Sequence, residues 1–251
     1  ILNNSAATGG GVYVEEGTIT GNVISGNTGG ALYVEGGYGA SNVSSNTIYN
    51  NTGSPVVYLR ASGNEPFRVL EVKNNTIVGN SGSPAVSMFV NQNAWTGSGP
   101  QAASYEFTNN NIYGNENIEL EYKNALGSKN LNIENNYWGT SDASVIATKV
   151  YDWNDDSSLG FVDYTPHTSS PITSNPIAPP VNVVKETITG GVKISWTANS
   201  ESDVAGYKIH YGSGTGYSYA TTLDAGNVTS YEISGLSASD EVAVTAYDGN
   251  S

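Results

Sequence analysis

Three tyrosines recur in near-identical triplets, Val12-Tyr13-Val14, Leu32-Tyr33-Val34 and Val57-Tyr58-Leu59. In an extended strand successive side chains point to opposite faces, so inward aliphatic neighbours leave all three phenols pointing outward on one face. Two residues further along, on the same face, stand Glu15, Glu35 and Arg60. A flat aromatic strip bordered by carboxylates suits a sugar, because rings stack on pyranose faces while carboxylates accept from hydroxyls. Tyr13, Tyr33, Tyr58, Glu15 and Glu35 therefore form the candidate glycan-contacting set; the competing reading is that Tyr is simply a good strand former. A second cluster, Asp152, Asn154, Asp155 and Asp156, offers the oxygen ligands that calcium takes. It lacks the Gly and closing Glu of an EF-hand loop, so an acidic surface loop competes with a calcium site. No cofactor is required, and calcium is the one suggested.

Composition narrows the partners. The 251 residues carry 23 acidic against 9 basic side chains, a net charge of -14. A nucleic-acid backbone would be repelled, and so would an anionic polysaccharide without a bridging cation. The absence of cysteine excludes disulfides, thiolate-held zinc and thiol catalysis. No stretch approaches the ~20 apolar residues that span a bilayer, so membrane insertion is not expected. Seventeen tyrosines and many Val and Ile alternate with polar residues at period two, interrupted by Gly, Asn and Pro, which reads as all-β.

Elements that position the tyrosines emerge from a repeat. An apolar residue, two of any kind, Asn, one of any kind and then Ile or Trp recur as Ile19-Asn22-Ile24, Val43-Asn46-Ile48, Val72-Asn75-Ile77, Phe107-Asn110-Ile112 and Ile133-Asn136-Trp138. The steps between these Asn are 24, 29, 35 and 26 residues. Five residues after the first Asn comes a second, at Asn27, Asn51, Asn80 and Asn115, and Asn4 fits the same position. Small-residue corners (Gly29-Gly30, Ser54-Pro55, Ser83-Pro84) then lead into the Tyr-bearing strands and their later counterparts, Val86-Ser87-Met88 and Ile118-Glu119-Leu120. Such periods indicate a solenoid. Stacked about 4.8 Å apart, identical Asn amides can bond to one another and to the bend, and Asn itself tolerates left-handed backbone angles.

This pattern resembles the right-handed parallel β-helix of the pectate-lyase-like superfamily, over residues 1–164. The resemblance implies a closing stretch in which Trp138 and Trp153 plug the apolar column and residues 142–150 form a short helical turn. It also raises the sugar-active chemistry of that fold. A lyase needs a Lys or Arg base near a calcium-bound uronate, yet Arg60, Arg68, Lys73, Lys123, Lys129 and Lys149 have no matching acidic cluster in sequence. The Asn-Thr-Asp and Gly-His-Gly motifs of the polygalacturonases are absent, and His167 and His210 have no nucleophile nearby in sequence. No catalytic residue is assigned.

Residues 165–180 contain five prolines and read as a semi-extended Pro/Ser/Thr-rich linker. Beyond it, residues 181–251 alternate as short strands at sandwich spacing, Val192-Lys193-Ile194-Ser195-Trp196 among them. They resemble a fibronectin type III domain, with Trp196 as its core Trp and Leu236 as its core Leu; Val242 stands where the family carries Tyr, and the last strand is missing. That strand either follows in a longer parent or is supplied by another chain. The repeat is already under way at Ile1, which reads as the end of a longer rod.

The expectation is a non-catalytic extracellular scaffold of a bacterial surface, such as an adhesin, sheath, filament or surface-layer component, with polysaccharide or copies of itself as partners. The alternative is a polysaccharide lyase or glycoside hydrolase whose catalytic coils lie upstream.

Overall fold

The computed structural model describes residues 1–36, 40–62, 69–91, 104–124, 130–212 and 218–249. Arg68 and Lys129, weighed above as bases, lie outside these residues, as do Asn250 and Ser251. Among the described residues the structure is all-β apart from one short helix, and the chain divides into two units, Ile1–Pro176 and Ile177–Ser251.

The first unit is a β-helix-like solenoid of parallel sheets stacked in register. The first four coils each contribute one strand to each of three sheets in turn, and later in the chain Leu131–Asn132 pairs with Val162–Asp163 in a separate two-stranded sheet. The first sheet stacks Val12–Val14, Leu32–Gly36, Val57–Ser62, Val86–Asn91, Leu120–Asn124 and Val150–Tyr151. The second stacks Thr18–Thr20, Ser41–Ser44, Val69–Lys73 and Ser104–Thr108; the third stacks Val23–Ser25, Thr47–Tyr49, Thr76–Val78 and Asn111–Tyr113. Strands this short cannot bury a core alone, so the coils hold by continuing one another's apolar columns. Ile19, Val43, Val72 and Phe107 form one inward column; Ile24, Ile48, Ile77 and Ile112 form another, all buried. Each such side chain contributes roughly 1.5–3 kcal/mol through removal from water.

Two details of the repeat differ from expectation. Left-handed backbone falls one residue before each ladder Asn: Gly21, Ser45, Asn74, Asn109 and Asn135 precede the first set, and Asn3, Gly26, Asn50, Gly79 and Gly114 the second. The bend thus selects Gly, Asn or Ser just ahead of the ladder residue, whose own amide is spent on the neighbouring coil. The fifth strand of the first sheet also starts two residues late. Leu120 pairs with Val86 and Glu121 with Ser87, so Ile118-Glu119 belongs to the corner and Glu119 turns inward.

At the last coil a five-residue helix, Ala143–Ala147, is capped by Asp142 and buries Ile146 beside Trp138 in the core cluster. Trp153 is half exposed and does not plug the column. Residues 165–176 are not a free spacer either. They lie against the last three coils: Thr168 donates to the Asn136 carbonyl, Asn111 clasps Ile172 through both its amide oxygen (2.9 Å) and nitrogen (3.1 Å), and Thr76 donates to the Pro176 carbonyl at 2.6 Å. Prolines extend this segment, but the outward Thr and Asn side chains of the third sheet supply it with partners.

The second unit is two three-stranded antiparallel sheets. In one, Gly191–Thr197 lies between Val181–Ile188 and Ser230–Ser234; in the other, Val204–Tyr211 lies between Thr221–Gly226 and Val242–Asp248. Val192, Ile194, Trp196, Tyr207, Ile209, Ile233 and Val244 form its core.

Candidate functional site

In-register pairing of the first sheet decides how the tyrosines sit. Tyr13 pairs with Tyr33 and Tyr33 with Tyr58, so the three side chains stand above one another at the spacing of the strands. Tyr13 and Tyr33 have ring centroids 4.8 Å apart at 13° between planes, and Tyr33 and Tyr58 4.6 Å at 27°. The rings therefore stack on one another. Their faces are largely occupied by neighbouring tyrosines, and the row presents ring edges and hydroxyls outward, with Tyr13 the most exposed. This geometry differs from the open aromatic strip expected from alternation. Burial, reinforced by Tyr33, raises the Tyr58 phenol above the usual range, so Tyr58 keeps its proton at neutral pH.

The neighbouring row is charged but internally paired. Glu35 and Arg60, opposite one another in the register, form an ion pair, and Tyr13 donates to the other Glu35 oxygen at 3.3 Å. Arg60 also lies 5.8 Å from the Phe89 ring centroid. Glu15 lies just beyond its strand and is exposed. Four of the five candidate residues are thus brought together on one face, with Arg60 neutralising Glu35.

The Asn ladders are continuous. In the first, Asn22, Asn46, Asn75 and Asn110 each donate both backbone and side-chain N–H groups to the amide oxygen of the next Asn, ending on Asn136. In the second, Asn4, Asn27, Asn51 and Asn80 do the same toward Asn115. Beyond the first Asn of each ladder, the amide nitrogens also reach back to a carbonyl one coil earlier, as Asn75 does to Val43 at 2.8 Å. All but the outermost of these side chains are buried.

The second ladder ends on a carboxylate that sequence reasoning missed. Asn115 donates its side-chain N–H to Glu119 at 2.6 Å and its backbone N–H at 3.3 Å. Ser141 stands where a sixth Asn would continue the ladder, and the inward Glu119 supplies the missing acceptor. Burial raises its carboxyl above the usual range, against the pull of the Asn115 bonds and Lys149. A raised folded value means that this group's contribution is full below its unfolded pKa and is lost as pH rises through the folded one. Glu119→Gln keeps an acceptor for Asn115 and removes the charge. It is expected to raise Tm at neutral pH, with the gain vanishing near pH 4; a lowered Tm at neutral pH would contradict the assignment.

Asp152, Asn154, Asp155 and Asp156 are not gathered as a calcium site. Asp152 is buried; one of its oxygens accepts the Asn154 backbone and side-chain N–H groups, and the other accepts Val162 N–H at 2.8 Å. Asp155 accepts from the Asp152 N–H, and Asp156 caps Ser158. The same local device recurs at Asp142 with Ser144 and at Asp163 with Thr165, where the bonds lower each carboxyl's pKa. Among the described residues no group of three or more acidic or histidine side chains is placed to hold a metal ion. Both oxygens of Asp152 and one each of Asp155 and Asp156 are engaged by neighbouring backbone N–H groups.

Other titratable groups are similarly engaged. Lys73 bridges Glu106 at 2.7 Å and Glu71 at 3.7 Å, and Lys123 pairs with Glu121 at 3.0 Å. His210 spends both ring nitrogens on the Thr222 and Thr245 hydroxyls, and burial lowers its pKa. His167 contacts the Ser141 carbonyl. Inside the solenoid the Tyr105 hydroxyl accepts from Ala61 N–H and faces the Leu59 and Phe89 carbonyls; burial pushes its pKa far up. It ties the second sheet to the back of the first.

In comparisons with known proteins, no family model, no curated protein and no solved structure matches the chain.

Proposed function

We propose that the chain is a non-catalytic extracellular scaffold whose solenoid presents the tyrosine-bearing face of its first sheet to a polysaccharide. The observation that carries this reading is the stack of Tyr13, Tyr33 and Tyr58, which sets phenol hydroxyls in a row beside a neutralised Glu35–Arg60 pair. Rings locked by stacking lose little further freedom on binding, which favours a contact surface. The buried amide ladders support the scaffold role: a coil cannot shift without leaving several buried groups unpaired. Ion pairs and backbone staples engage many of the acidic side chains, whereas general acid–base cleavage of a glycoside needs two carboxyls poised on the bond. The second unit accompanies this as a fibronectin type III-like sandwich, a reading supported by two three-stranded sheets closing over Trp196. A right-handed β-helix of the pectate-lyase-like type is the matching proposal for the solenoid.

Replacing Tyr13, Tyr33 and Tyr58 together by Ser tests the contact face. Retention on immobilised polysaccharide is expected to fall about tenfold or more, equivalent to about 1.4 kcal/mol, while the coil amides stay protected from exchange. Undiminished retention would reject the face.

A further inference from the structure

Beside the tyrosine row, at the corner where each coil enters the first sheet, a half-open groove of about 220 Å³ crosses three successive coils. Gly9, Gly29 and Gly30 form part of its lining. A Cβ on Gly29 would lie 1.7 Å from the Ala6 carbonyl oxygen, and one on Gly30 3.1 Å from the Pro55 carbonyl oxygen. Both residues also have positive φ. Backbone packs closely on backbone at these two glycines, so neither position readily carries a side chain. Tyr33, Tyr58 and Pro55 give the groove apolar walls, while Thr8 and Ser54 add hydroxyls and Gly29 and Gly30 add peptide groups.

We propose that this groove is the binding subsite for a neutral glycan, which the outward phenols alone would not hold. The proposal rests on the glycan-contact reading above and specifies where the sugar sits and what charge it carries. Two observations fix the class. Among the described residues no charged side chain lines the groove, and the nearby Glu35 is paired with Arg60, in a chain whose net charge is -14. An anionic polymer would meet a repulsive field with no cation in the groove to offset it, whereas a neutral one meets no such barrier. Its walls are also amphipathic in the way a pyranose is, with apolar ring and proline surface beside hydroxyl and peptide groups. Because the tyrosine faces stack on one another, the groove rather than the ring row is where a sugar can be partly enclosed.

The test uses the whole chain with cellohexaose and mannohexaose as neutral probes, polygalacturonate as the anionic one, and a proline-rich peptide as the competing occupant of an aromatic-lined groove. Thr8→Trp and Ala7→Trp, both at exposed positions, fill the groove without touching the ladders. A neutral hexaose is expected to bind with an affinity insensitive to salt, and either variant is expected to weaken it about tenfold or more at unchanged Tm. If a neutral hexaose binds equally to both variants but is lost in the triple Tyr→Ser chain, the contact face stands and the groove is refuted. Preferential binding of polygalacturonate, or displacement of the sugar by the peptide, overturns the neutral-glycan assignment. Binding of none of the glycans refutes the contact face and the groove together.

Discussion

Asn75→Ala is expected to cost about 4 kcal/mol or more, because it strands several buried groups at once. The Asn75 amide oxygen accepts both N–H groups of Asn46, and its nitrogen donates to Asn110 and to the Val43 carbonyl. Asn46, Asn75 and Asn110 are fully buried, and each group left unpaired costs about 1–3 kcal/mol. Hydrogen exchange resolved by peptide during denaturant unfolding separates the solenoid from the sandwich, and the loss should appear across several coils. Asn74→Gly is the matched control: its backbone is left-handed, a conformation glycine adopts freely, and its change should lie near zero. A loss below about 1 kcal/mol for Asn75→Ala would mean that the ladder adds little beyond the apolar columns.

Asp152→Ala comes next, at about 3 kcal/mol, because the buried Val162 N–H and the Asn154 turn lose their acceptor together. Asp152→Asn keeps an acceptor and should retain part of that stability. The same measurement separates a staple from a metal site. Adding calcium or a chelator is expected to leave Tm unchanged, since Asp152 already serves three N–H donors. A Tm that rises with calcium would show that these oxygens are free to hold a cation.

The solenoid was legible because its signals are local and repeated. Asn at a fixed offset before an inward Ile, coil after coil, specifies both the bend and the column, and the stack reproduces both. The exceptions were invisible where a local pattern imitated another element. Ile118-Glu119-Leu120 alternates like a strand, yet the strand begins at Leu120, and only the ladder's need for an acceptor below Asn115 turns Glu119 inward. The segment after residue 165 has the composition of a spacer. Its hold depends on Thr76 and Asn111, which lie far away in sequence, so composition alone gave no sign of it. For the acidic loop the clue was present. Asp followed two residues later by Ser or Thr is the signature of a side chain bonding its own backbone, and Asp142, Asp156 and Asp163 all carry it. Alternation placed the tyrosines outward but could not say that their rings would face one another; that follows from in-register parallel pairing at strand spacing.

Binding and cleavage measured together on one polysaccharide sample test the scaffold reading most directly. The whole chain is incubated with soluble neutral and anionic polysaccharides, and retained protein is followed alongside new reducing ends and unsaturated-uronate absorbance. The proposed function predicts retention that depends on Tyr13, Tyr33 and Tyr58, with polymer length unchanged over time. Chain ends that accumulate in proportion to protein would contradict it and make the protein an enzyme.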